Sequence, residues 1–175
     1  MVSSMKEARR APGSEWLKNR PHFLEMVYKF SEEAFIKSYP LLKRIPFFKG
    51  IMVVGEELGK GWMFNCQMCG QCILHSTGMT CPMTCPKNLR NGPCGGVRAN
   101  GNCEVIPDMP CVWVQAWERS QNMTLYSHEI KLIQPPVNRA LHNTSSWINM
   151  AEGIDANVPP GWQQAASSMA KEGHA

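Results

Sequence analysis

The sequence predicts a small, irregular, α-rich fold stabilised by metal, with a loop-rich cysteine centre flanked by short helices and extended arms. Three observations carry that expectation. All eight cysteines lie between Cys66 and Cys111, in a stretch that opens "CQMCGQC". Thirteen prolines and fourteen glycines in 175 residues interrupt the periodic segments. No alternating or β-branched run is long enough to build a large sheet.

The chain divides in order. Residues 1–60 form a helical N-terminal arm and linker, 61–121 a cysteine-rich domain, and 122–175 a C-terminal helix and loosely held tail. Within the arm, residues 14–39 place Phe23, Met26, Val27, Phe30 and Ala34 at spacings of three and four, the mark of one apolar helical face. Packing is the main reading of that face; docking of Phe23, Phe30, Phe47 and Phe48 on a partner is the alternative. Pro21 belongs in the first turn, where its missing N–H costs nothing. "YPLLKRIPFFKG", with Pro40 and Pro46, reads as an extended or kinked linker, and "FKGIMVVGEELGKG" as a short helix leading into the cysteines. Residues 108–121 read as a helix capped by Asp108, with Pro110 in its first turn and Cys111 near its start. "HNTSSWINMAEG" reads as a second capped helix ending at Gly153. The last twenty or so residues show no clear apolar face.

Net charge is +4 with a pI near 8.7, and the basic residues are scattered. That distribution argues against a nucleic-acid binder, which concentrates its charge in a stripe. The N-terminal stretch carries charges without an apolar segment, unlike a secretory signal, and nothing approaches the eighteen or so apolar residues that cross a bilayer. The expected compartment is the cytoplasm. There, reducing conditions keep ordinary thiols unpaired, so a dense, even-numbered cysteine set points to metal rather than to disulfides.

The ligand candidates are Cys66, Cys69, Cys72, Cys81, Cys85, Cys94, Cys103 and Cys111. Eight thiolates suffice for two 4Fe-4S clusters, for two tetrahedral zinc sites, or for one of each. Two Cys-x-x-Cys steps sharing Cys69 resemble three corners of a ferredoxin cluster more than the isolated pairs of a zinc ribbon. Pro82 and Pro86 follow Cys81 and Cys85 as proline follows a ferredoxin's fourth cysteine, although the spacing to the triplet is longer here. Gly70, Gly78, Gly92, Gly95, Gly96 and Gly101 suit a backbone that turns its N–H groups toward sulfur. His75 is expected near the centre without being a ligand, and Met63, Met68, Met79, Met83 and Met109 form an apolar shell that excludes water. Lys87, Arg90 and Arg98 either offset cluster charge or form a solvated loop. Trp113 or Trp117 packs against the cysteine lobe.

With these motifs in order, "CQMCGQC", "TCPMTCPK", "NGPCGG", "CE" and "CVW", residues 63–120 resemble the methylenetetrahydrofolate reductase C-terminal domain family. That domain occurs fused to the flavin-dependent reductase or as a separate small subunit beside it. The resemblance implies two clusters held by the eight cysteines and electron relay to the flavin of a flavoprotein reductase subunit, with further electron-transfer subunits as candidate partners. The reductase barrel itself takes about 250 residues, and no G-x-G-x-x-G fingerprint is present. The chain is therefore expected to be an accessory subunit without catalytic residues of its own, binding neither nucleic acid nor membrane. The alternative is a structural zinc module that stabilises or docks the reductase. Cys66, Cys69 and Cys72 are expected to share one centre and Cys94 and Cys103 another, with Cys81, Cys85 and Cys111 completing the sets.

Overall fold

The computed structural model describes residues 20–155. The expected helical start before residue 20 and the tail after residue 155 lie outside the described residues. Four α-helices, α1 (Pro21–Leu42), α2 (Phe48–Phe64), α3 (Val112–Ser120) and α4 (Ser146–Ala151), are joined by loops and four 3-10 turns. Among the described residues there is no strand, only one isolated antiparallel bridge between Asn102 and Pro110. No helix there is long and apolar enough to cross a membrane.

Pro21 opens α1 as expected, since its ring presets the helical φ and its missing N–H would be unpaired there anyway. The helix then continues through Pro40, so the expected long linker shrinks to residues 43–47. A proline there forfeits one backbone hydrogen bond in the last turn only. Aromatic packing holds that turn: Phe35 and Tyr39 both lie against Phe48 at the start of α2, with ring centroids 6.4 Å apart in each case.

The buried face of α1 is not the expected one. Val27 and Phe30 are 45% and 75% exposed, and Phe23, Met26 and Ala34 are also exposed. The inward stripe holds Leu24, Glu25 and Tyr39, with Tyr28 and Phe35 half-buried along it. Apolar counting missed this stripe because a carboxylate and two tyrosines sit on it. Glu25 is fully buried and accepts the N–H groups of Thr124 and Leu125 at 2.8 and 3.0 Å.

The helix expected after residue 48 forms and is longer, running to Phe64. Asn65 then adopts a left-handed φ of 53°, while Asn65 N–H and Cys66 N–H donate to Gly61 and Lys60 carbonyls at 3.0 and 3.3 Å. This cap delivers Cys66 into the core directly from the helix end. Helix α3 starts later than expected, at Val112, with Cys111 as its N-cap and no capping by Asp108. Residues 101–111 instead close a small loop in which Cys111 N–H donates to Gly101 O and Cys103 N–H to Met109 O. The second expected helix, α4, forms with Ile148 N–H donating to Ser145 Oγ at 3.3 Å, and Gly153 follows at φ +69°.

Polar side chains tie the arms to the cysteine loops. Glu56 of α2 accepts Ser146 N–H at 2.9 Å at the start of α4. Buried Gln71 donates to Asp155 O and accepts Asn138 N–H, and Asn149 donates to Gly70 O. Such bonds are directional, so they fix the loops where a small core leaves them underdetermined.

Candidate metal centre

The eight cysteines fall into two sets of four. Cys66, Cys69, Cys72 and Cys81 line one cavity, walled by Met68, Met83, Arg90 and Glu56. Cys85, Cys94, Cys103 and Cys111 line another, walled by Met109, Trp113, Lys87 and Glu104. Each set has its own apolar core. Leu24, Leu74, Met79, Met83 and Met123 pack around Cys69 and Cys81, while Trp113 and Ala116 pack around Cys111. Cys81 lines the cavity of the Cys66–Cys72 triplet, and Cys85 and Cys111 line that of Cys94 and Cys103. No three His, Cys, Asp or Glu side chains among the described residues form a group that could hold a single metal ion.

Met68 N–H donates to Cys66 Sγ at 3.4 Å, and the Cys69 thiol donates to Gln71 O at 3.5 Å. An N–H aimed at sulfur stabilises its thiolate form. Gly70 makes the tight turn between Cys69 and Cys72 at φ +74°, and a Cβ there would sit 2.7 Å from Thr144 Oγ1. Met68 and Met79 also take positive φ, 48° and 53°, a conformation the glycine count alone did not foresee.

Burial raises Cys66, Cys69 and Cys81. It pushes Cys66 up to about 11, against the N–H of Met68, with the Cys72 and Cys69 thiolates adding to the rise. Cys81 and Cys69 are raised for the same reasons, burial first. Four thiolates packed together repel, so the thiolate set needs positive charge in its midst. Two cations already border it. Buried Arg90 donates to Gln71 O at 3.0 Å, and its charge favours the Cys69 thiolate. Lys60 is half-buried; desolvation lowers its pKa, but Cys72 and Glu56 outweigh that and raise it. At the second set, Lys87 lies 3.7 Å from Cys94 Sγ and is paired with Glu104. The Gly96 N–H, with Lys87, pulls the Cys94 thiol down. Arg98 reaches only the Glu104 carbonyl.

Other expected residues find their places. His75 lines neither cavity; it stacks on Tyr28 with centroids 5.4 Å apart and pairs with Glu129. Met68 and Met83 wall the first cavity, Met109 the second, Met79 lies in the core around Cys69 and Cys81, and Met63 faces a groove between helices. Trp113, not the half-exposed Trp117, packs on the cysteine lobe, with its indole directly on Gly92. Sequence reasoning missed Lys60 and Glu56. Their i, i+4 spacing on a helix leading into Cys66 was the available signal.

These donor sets fit an iron–sulfur group: soft thiolates in fours, N–H groups aimed at sulfur, and cations beside them. The described residues, helical and without a strand around two four-cysteine cavities, define a cysteine-rich domain. The family model described as methylene-tetrahydrofolate reductase C terminal matches residues 46–140, more than half of the chain, and the protein belongs to that family. Comparison with curated proteins and with solved structures found no match.

Proposed function

We propose that the chain is the iron–sulfur, electron-transfer subunit of a flavin-dependent methylenetetrahydrofolate reductase. The observation that carries this reading is the pair of separate four-thiol cavities, each with a cation at its edge. Cys66, Cys69, Cys72 and Cys81 would hold one 4Fe-4S cluster, and Cys85, Cys94, Cys103 and Cys111 the other. When bound, such clusters take up and give up single electrons with little rearrangement.

The chain's own residues set the conditions. Arg90 and Lys60 offset the negative charge of the first thiolate set, and Lys87 that of the second. Met68, Met83 and Met109 keep water from the sulfurs, which favours the state of lower charge. A structural zinc module is the second reading. Tetrahedral zinc would draw four sulfurs to about 2.3 Å from one point. The two Cys-x-x-Cys steps that share Cys69 favour the cluster over zinc.

The test is anaerobic mixing of the dithionite-reduced chain with the oxidised flavoprotein subunit. Bleaching of the flavin, with reoxidation of the chain, is expected. A chain with full iron content that leaves the flavin oxidised would overturn the electron-transfer role.

A further inference from the structure

A cleft with about 1200 Å³ of empty space, open to solvent, runs between residues 83–91 of the cysteine loops and residues 134–142. That is ample for a small organic molecule. We propose that this cleft binds a small organic ligand carrying an oxyanion, a carboxylate or a phosphate, which pairs with Arg90. The effect assigned to the ligand, a lowered potential of the first centre, rests on the functional reading above; the binding site does not.

Charge, desolvation and rigidity carry the inference. Arg90 and Arg139 both line the cleft, His142 adds a ring N–H, and no aspartate or glutamate is among the lining residues. An anion entering there meets positive charge that no carboxylate opposes. Arg90 is only 8% exposed. It donates to Gln71 O at 3.0 Å, while its buried Nε has no hydrogen-bond partner among the described residues. A buried donor left unpaired costs free energy, and an oxyanion is the acceptor that a guanidinium fork fits best. An acceptor inside the first cysteine cavity is the competing partner for Nε. Arg139 separates the two, because it lines the cleft and not that cavity. The walls are also fixed in advance. Asn91 Nδ2 donates to Gln134 O at 2.8 Å, and Gln134 N–H donates back to Asn91 Oδ1 at 2.7 Å. Asn138 N–H, beside Arg139, donates to Gln71 Oε1 at 2.7 Å, so Gln71 is bonded to both walls. Preformed walls lower the ordering cost of binding. Arg90 and Met83 wall the first cysteine cavity as well, so a ligand in the cleft lies one side chain from the first centre. Its negative charge offsets the guanidinium and disfavours the added electron of the reduced centre. By linkage, reduction of that centre weakens anion binding by the same factor.

Full-length wild type, Arg139→Gln and Arg90→Gln are purified anaerobically and titrated calorimetrically with succinate and, separately, with phenyl phosphate, at constant ionic strength set with chloride. Iron and sulfide are measured on each sample. A redox titration followed by electron paramagnetic resonance reads both centres with and without the tighter anion. At least one anion is expected to saturate the wild type, with about a tenfold loss of affinity in Arg139→Gln at unchanged iron and sulfide. Arg90→Gln is expected to remove the binding. Arg139 is exposed, so its variant tests the site even where Arg90→Gln loses iron. The tighter anion names the acidic group, and its saturation is expected to lower the potential of the first centre and leave the second unmoved. Failure of both anions to bind the wild type at about 10 mM, well above the Kd of a specific site, overturns the proposal. Binding that Arg139→Gln retains undiminished places the anion elsewhere and overturns it too. Binding that Arg139→Gln weakens in a chain with zinc and no sulfide upholds the site and overturns the functional reading. Such binding with an unmoved potential in a cluster-bearing chain upholds the site and overturns its effect on the first centre.

Discussion

Glu25 shows how much a single buried carboxylate decides here. Burial alone would raise its pKa, but the N–H groups of Thr124 and Leu125, the Thr124 hydroxyl and His22 outweigh it and hold the carboxyl at about 2. Its folded value lies below its unfolded one, so its stabilisation is complete above about pH 4.5 and is lost as pH falls toward 2. That contribution is roughly 3 kcal/mol at neutral pH. Glu25→Gln is expected to lower the urea midpoint of the metal-loaded chain at pH 7 with iron and sulfide content unchanged. A variant whose midpoint matches the wild type contradicts the assignment. Arg90 acts on the metal side. Because its guanidinium faces Cys69 and Cys72, Arg90→Gln is expected to lower the reduction potential of the first centre by tens of millivolts and leave the second unmoved. A redox titration followed by electron paramagnetic resonance reads both centres in one sample.

At the level of elements, the two cysteine sets are separate units, each with its own cavity and core. Cys69→Ser should therefore remove about half the iron and Cys103→Ser the other half, and neither should abolish both centres. Loss of all iron from either single variant would mean that the sets cross over, as in two-cluster ferredoxins. Cysteine spacing alone left the grouping open beyond the Cys66–Cys72 triplet. Helix α4 and the Pro21 start were legible, since a capping serine and a proline act locally. The buried face of α1 was not. Its anchors are Glu25, Tyr28 and Tyr39, which a count of apolar residues scores as outward, while the bonds of Glu25 to residues 124–126, of Tyr39 to Glu152, and the ring contacts of Tyr28 with His75, Tyr126 and Trp147 hold them inward. Asp108 failed as a cap for a similar reason: the Asn102–Pro110 bridge takes up the preceding backbone and shifts the helix start to Cys111. Nor does cysteine spacing show that Met68 N–H faces the Cys66 sulfur, because that depends on the backbone angles at Met68.

At the scale of the whole molecule, the matched family stretch, residues 46–140, contains α2, α3 and both cysteine cavities, whereas α1 and α4 lie outside it. These two outer helices nevertheless hold the assembly together. Tyr28 and Phe35 of α1 pack on Trp147 of α4 with centroids 5.5 and 5.6 Å apart, and Lys60 of α2 sits 5.1 Å over the same indole. Little apolar core exists away from the cysteines, so their occupancy is expected to govern stability as well as function. The central claim is that the eight thiols hold two four-iron clusters. Iron, acid-labile sulfide and zinc measured together on anaerobically purified protein test it most directly. The account predicts about eight iron and about eight sulfide per chain with negligible zinc; about two zinc per chain with no sulfide would contradict it.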